Sequence, residues 1–188
     1  MILTRKFYAR KTEFVARDLL GKTLVMRSGK GLIKGKIVET EAYLGKNDPG
    51  AKGYRKIKKI PKSLLNPPGY SFVYFTYGNH WMLNILAKRD ELGAVLIRAL
   101  EPLVGIDEMK RKRKVSDMFK LTNGPGKLTQ ALGIDKRFDG QDVTKGNLYI
   151  EDSENKLEIV TTTRIGISKG KGRLLRYYIR GNQFVSRK

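Results

Sequence analysis

The chain has 188 residues, 40% of them hydrophobic, which suits one domain with a real apolar core. It carries 39 Lys and Arg against 18 Asp and Glu, a formal net charge of +21, with no cysteine and one histidine, His80. Those counts exclude a disulfide framework and a thiolate zinc site, argue against a His-based metal centre, and point to a polyanionic partner, nucleic acid first. A ribosome-like structural role or an anionic membrane surface would use the same charge. No apolar run approaches the ~20 residues of a membrane span. The opening stretch MILTRKFYARKTEF lacks the apolar core and cleavage pattern of a secretory signal, so an intracellular protein is expected.

In chain order, Thr12 is placed to cap a short helix through Leu20, ended by Gly21. "KTLVMR", a Ser-Gly-Lys-Gly turn and "LIKGKIVETEAY" read as a β-hairpin with a long second strand. Residues 45–69, rich in Gly, Pro and Lys, read as an irregular loop long enough to suggest a function. A second hairpin follows, "YSFVYFT" and "HWMLNILA" around the tip Tyr77-Gly78-Asn79, with "AVLIRAL" pairing beside it. Glu101-Pro102 is expected to open a helix running into "KRKRK" at 110–114, a basic run that suits either a solvated face or part of a DNA footprint. "NGPGKLTQALGI" breaks the chain before one or two helical turns, and "NLYIED", "KLEIVTTTRIGI" and "RLLRYYIR" read as strands. The expected fold class is α+β: a single domain over 1–188, built on a mostly antiparallel sheet with short peripheral helices.

Within "IVETEAY", strand alternation turns Glu39, Glu41 and Tyr43 to one side. Glu39 reads as the partner of local Lys or Arg. Glu41 immediately precedes the long loop and shares its side with an aromatic. A carboxylate facing a polyanion is unfavourable unless it does something, such as activating a water or stabilising a developing positive charge. Cleavage of a glycosidic bond develops an oxocarbenium ion and needs both. Tyr77, at or beside a hairpin tip, suits either a turn aromatic or a ring inserted between stacked bases, whereas Trp81 reads as a core aromatic. Lys127 in "GPGKL" sits where a helix N-terminus could meet a phosphate, although the full P-loop pattern is missing.

The segments "ARDLLGKTLV", "GKIVETEAYLG", "FVYFTYGNHWMLNI", "AVLIRALEPL", "NGPGKLTQALGI" and "LRYYIRGNQFVS" together resemble the alkyladenine (3-methyladenine) DNA glycosylase family, in its order and at its spacings. The resemblance implies a curved antiparallel sheet with a protruding hairpin that enters the minor groove of double-stranded DNA. It also implies a monomer that flips damaged purines and hydrolyses their N-glycosidic bonds without a metal or organic cofactor. By matched position, Glu41 would activate the water, with Arg98 and the backbone carbonyl of Ile165 holding it. Tyr43 and Tyr74 would stack on the flipped base, and Asn84 would crowd the exocyclic amine of normal guanine. Tyr77 would be the wedge that fills the gap in the duplex; Asn79 at the same hairpin tip and Lys127 in the GPGK turn are further DNA-binding candidates, read from the residues themselves.

One position departs from the family. Where its members carry a histidine beside the base, "NDPGAK" places Lys52. An ammonium neither stacks nor donates as a neutral imidazole does, and it repels a cationic purine. The expectation is a lesion range shifted toward neutral hypoxanthine and ethenoadenine and away from N7-methylpurines. Two alternatives follow from the same residue: a bifunctional glycosylase and AP lyase in which Lys52 attacks the sugar, or a non-catalytic binder of damaged DNA.

Overall fold

A computed structural model of the chain describes residues 1–29, 31–53, 60–76, 78–87, 92–153 and 156–187. The first hairpin consists of β1 (Thr23–Ser28) and β2 (Gly31–Tyr43), the second of β3 (Ser71–Thr76) and β4 (His80–Leu86). After them come β5 (Ala94–Val104), β6 (Leu148–Glu151), β7 (Ile159–Thr162) and β8 (Arg176–Ile179). They form one eight-stranded sheet ordered β3-β4-β5-β2-β1-β6, with β8 beside β2 and β7 beside β8. Every described pairing is antiparallel.

The long strand β2 is the spine. β5 follows one of its edges, while β1 and then β8 share the other. The β2–β5 register shifts between Ile37 and Glu39 and again between Glu39 and Thr40. Such bulges bend and twist a strand pair, and the sheet curves accordingly into a half-barrel.

Four short helices, α1 (Arg5–Tyr8), α2 (Thr12–Asp18), α3 (Ile106–Arg113) and α4 (Pro125–Leu132), complete the expected α+β fold. Val15, Ala16 and Leu19 of the α2 region are fully buried with Ala42, Ile85, Val95 and Ile97, so one face of the sheet is core. Thr40 ties that face to α2 by donating to the Ala16 carbonyl at 2.7 Å. None of the described helices is long and apolar enough to cross a membrane.

Two local expectations are corrected. The N-cap of α2 is Lys11, without a side-chain cap bond, and Thr12 lies inside the helix. The Thr12 side chain is fully buried against Gly93, where an added Cβ would come 2.1 Å from Thr12 Oγ1. Glu101-Pro102 continues β5 rather than starting a helix. Glu101 pairs with Lys36 and Pro102 with Gly35 beside a register shift, a position that tolerates the missing N–H. The helix α3 begins only after Gly105, whose φ of 78° lies in the left-handed region and breaks the strand. Within 45–69 the described backbone forms short 3-10 turns at Gly45–Asn47, Pro49–Gly53 and Lys62–Leu65.

Candidate active site

The second face of the sheet carries the chemistry. Cross-strand partners point to the same side, so the register row Phe72–Asn84–Leu96–Glu41–Arg176 places Asn84, Glu41 and Arg176 on one face. The adjacent row, Ile85–Val95–Ala42, faces the core. Asn84 and Glu41 are two strands apart, or about 10 Å at ordinary strand spacing, enough for a planar base to stand between them.

On that face lies every buried charge among the described residues: Glu39, Glu41 and Asp48 against Arg98, Arg164 and Arg176. Three carboxylates balance three guanidiniums in the interior of a chain with a net charge of +21. Burying ions is expensive and adds little stability even when they pair. Such a cluster is therefore a functional-site candidate on physical grounds.

The β2–β5 bulges organise it. Ala99 opposes Glu39 and Ile97 opposes Thr40, leaving Arg98 as the extra residue of β5. The bulge aims Arg98 between the two glutamates, with its Nε 3.3 Å from Glu39 Oε1 and one terminal nitrogen 3.3 Å from Glu41 Oε1. The Arg98 Nε makes no hydrogen bond, so donor capacity remains.

Glu39 has its own partners. Arg176 donates to Oε1 at 2.8 Å and the Ser186 amide to Oε2 at 2.7 Å. This is the arginine-paired role expected of Glu39, with the C-terminal segment drawn in as well. Glu41 is fully buried and has neutral donors instead: the Ile165 amide to Oε1 at 2.8 Å and the Tyr43 hydroxyl to Oε2 at 2.8 Å. Two hydrogen bonds and one ion pair leave part of the roughly four lone-pair sites of a carboxylate available to a water. Burial, followed by the Glu41 charge, raises the Tyr43 pKa far above the ordinary phenol value, which keeps the proton on Tyr43.

Asp48 and Arg164 form the third pair, with no side-chain surface exposed on either. Asp48 also accepts from the amides of Leu44 and Gly50, at 3.1 and 2.9 Å. Burial alone would raise its pKa. The Arg164 hydrogen bond and the two amides outweigh that and hold it below the usual carboxylate value.

The remaining expected residues fall as follows. Tyr74 is half-buried, stacked on Phe72 with centroids 5.2 Å apart. Asn84 is buried and donates to the Phe72 carbonyl at 3.2 Å. The atom of Ile165 that touches Glu41 is its amide N–H, not its carbonyl. The backbone of Lys52 lies in the Pro49–Gly53 turn, and its side chain is outside the described residues, as is Tyr77 altogether. Asn79 and His80 are exposed at the described end of the second hairpin. There α4 braces the hairpin: a Cβ on Gly126 would come 2.7 Å from the His80 ring, and Thr129 donates to the Trp81 carbonyl at 3.0 Å. Lys127, in the first turn of α4, donates to Asn123 at 2.8 Å. Its pKa is lowered by partial burial and then by Arg113 and Lys120 nearby, a cluster of cations suited to an anion.

Reading the sequence missed Asp48, Arg164 and Arg176. The only local signals were an Asx-type "NDPG" turn and isolated arginines in a chain full of them.

The methylpurine-DNA glycosylase family profile matches residues 6–183. A protein of Carboxydothermus hydrogenoformans, whose name is that of a 3-methyladenine DNA glycosylase, is 47% identical over the whole of both chains. Relatives of the same name from Methanoculleus marisnigri and Clostridium novyi are each 43% identical, covering 100% and 99% of this chain and 100% and 98% of their own.

Proposed function

This chain belongs to the methylpurine-DNA glycosylase family, and from that premise we propose that it is a monofunctional enzyme that flips alkylated or deaminated purines out of duplex DNA. Membership makes it a hydrolytic DNA glycosylase of base-excision repair. The substrate class proposed is 3-methyladenine, hypoxanthine and ethenoadenine.

The observation that carries this reading is Glu41, a buried carboxylate fixed by two neutral donors and only partly neutralised by a shared arginine. A carboxylate with its own guanidinium would have little charge left to offer a sugar cation. The one guanidinium paired with Glu41, that of Arg98, also pairs with Glu39. In the proposed step a water held by Glu41 and Arg98, with the Ile165 carbonyl, attacks C1′ of the flipped nucleotide. The C1′–N bond breaks with its electron pair passing to the base, and the water's proton passes to Glu41. The carboxylate also stabilises the oxocarbenium-like transition state.

Tyr43 and Tyr74 supply the stacking faces, and Asn84 crowds the exocyclic amine that normal guanine would bring. Tyr77 is the wedge in the minor groove, with Asn79 beside it and Lys127 on a phosphate. The protein acts as a monomer. Lys52 in place of the family histidine biases the range toward neutral lesions. Cationic alkylated purines leave readily by themselves, while neutral ones depend more on the enzyme.

The test is excision from defined duplexes carrying hypoxanthine, ethenoadenine, 3-methyladenine or 7-methylguanine, with and without alkaline cleavage of the product. Release of free base with strand breaks only after alkali is expected. Breaks without alkali, together with a borohydride-trapped adduct lost in Lys52→Ala, would establish the lyase alternative. Binding without release of any base would leave a damaged-DNA binder.

A further inference from the structure

The glycosylase step leaves unused the charge that stands behind Tyr43. The Arg164 guanidinium lies 4.7 Å from the centroid of the Tyr43 ring. It is held there by both oxygens of Asp48, the second at 2.7 Å, and by the Ala42 carbonyl at 2.9 Å. The pair is tied to two other parts of the site. Asp48 anchors the turn that carries position 52 through the Leu44 and Gly50 amides. Arg164 precedes Ile165, whose amide holds Glu41.

A bidentate ion pair with no exposed side-chain surface is a poor investment in stability, because apolar residues of equal volume often do as well. Its location suggests what it does instead. An aromatic face attracts cations through its negative potential. Arg164 takes up that attraction on one face of Tyr43, so a stacked base meets the other. What the base feels there depends on Tyr43 and on whatever net charge lies just behind it. With Asp48 in place, that net charge is zero.

We propose that the Asp48–Arg164 pair sets the discrimination of this enzyme between cationic and neutral bases, by fixing the electrostatic potential at the outer face of Tyr43. The inference rests on Tyr43 being the stacking wall of the proposed glycosylase site. A stacked base lies roughly 8 Å from the guanidinium, given the 4.7 Å behind the ring and a contact gap of about 3.5 Å. At that range one unpaired charge alters relative binding of a cation by roughly three- to thirtyfold, according to the effective dielectric. The two halves of the pair act with opposite sign. Loss of the Asp48 charge leaves a bare guanidinium and penalises cationic bases. Loss of the Arg164 charge leaves a bare carboxylate and favours them. A scaffold role would slow both base types together.

The experiment measures single-turnover excision of 7-methylguanine, a cation, and hypoxanthine, a neutral base, from otherwise identical duplexes. The proteins are the wild type, Asp48→Asn, Arg164→Gln, the double variant Asp48→Asn/Arg164→Gln and Arg164→Lys. The set is repeated on a Lys52→Ala background, so that a displaced Lys52 cannot account for a shift. The cationic-to-neutral ratio is expected to fall at least threefold in Asp48→Asn and to rise at least threefold in Arg164→Gln. It should return to within twofold of wild type in the double variant. Arg164→Lys, which keeps the charge and loses the bidentate clamp, should slow both bases while holding the ratio. If circular dichroism shows one single variant unfolded, the other is judged against the double variant, in which charge balance is restored. A ratio that stays constant, or that moves the same way in both single variants, overturns the inference while leaving the glycosylase reading intact. Where the wild type fails to release one of the two, 3-methyladenine replaces 7-methylguanine as the cation or ethenoadenine replaces hypoxanthine as the neutral base, and a wild type that releases none of the four overturns both.

Discussion

Glu41 and Tyr43 lie two residues apart on β2, and the Tyr43 phenol donates to Glu41 Oε2 at 2.8 Å. The bond gives the tyrosine two separable jobs, one through its ring and one through its hydroxyl. Tyr43→Phe removes only the second. It leaves a buried carboxylate oxygen short of a donor, which costs about 1–3 kcal/mol. Thermal unfolding should show that loss, and single-turnover excision should slow about tenfold or more with little change in affinity for lesion DNA, one pKa-scale unit of free energy being a factor of ten. Weakened affinity with an unchanged excision rate would show that the hydroxyl serves binding instead.

Glu41→Gln preserves shape and removes the negative charge. A positioned general base contributes a factor of about 10²–10⁴. Excision of hypoxanthine should fall by that order, while gel-shift affinity for the same duplex is maintained. A rate like that of the wild type would remove Glu41 from the reaction.

Arg98 neutralises part of two buried acids at once. Arg98→Met leaves Glu39 with Arg176 and Ser186, but leaves Glu41 with neutral donors alone. Stranding a buried charge in this way costs about 3–5 kcal/mol. Denaturant unfolding should register a loss of that size, and the double variant Arg98→Met/Glu41→Gln should recover a good part of it. Equal stabilities for the single and double variants would refute the coupling.

Asp48 carries a pH signature. Its carboxyl is held below the ordinary aspartate range in the folded protein, despite burial, by Arg164 and two amides. The folded state therefore binds its proton less readily than the unfolded one. The stabilisation is complete above the unfolded value, near pH 4, and disappears as pH falls through the lower folded value. Melting temperatures of wild type and Asp48→Asn should differ most near neutral pH, and the gap should close as pH falls below the ordinary carboxylate range. A gap that stays constant with pH would mean that Asp48 acts through shape alone.

Lys127 makes a different kind of prediction, because its cationic surroundings with Arg113 and Lys120 suit a phosphate rather than a base. Lys127→Ala should weaken binding to damaged and undamaged duplex alike, and should reduce the slope of log K against log salt by about one. An effect confined to lesion DNA would move Lys127 from the backbone to the pocket.

What could be read directly from the sequence was periodic or local. Alternation in "IVETEAY" put Glu39, Glu41 and Tyr43 on one side, and the structure keeps them there even though bulges interrupt the strand. Hairpins with glycine-containing turns, and the Gly-Pro-Gly start of α4, were equally legible. The helix expected to open at Glu101-Pro102 starts only after Gly105, because proline permits a strand bulge as well as a helix start. Only pairing with Gly35 and Lys36 decides between them.

The site shows where such reading stops. Charge count and strand pattern point to a polyanionic partner and turn an acid and an aromatic the same way, since both follow from residue type and a two-residue repeat. They do not determine which cation meets which acid. Arg98 reaches Glu41 because it is the extra residue of a bulge, and Arg164 reaches Asp48 across 116 residues of chain. In a protein with 39 basic residues, any of them could serve on composition alone. The choice belongs to the tertiary structure, because a buried ion pair exists only where folding brings two distant charges out of water together.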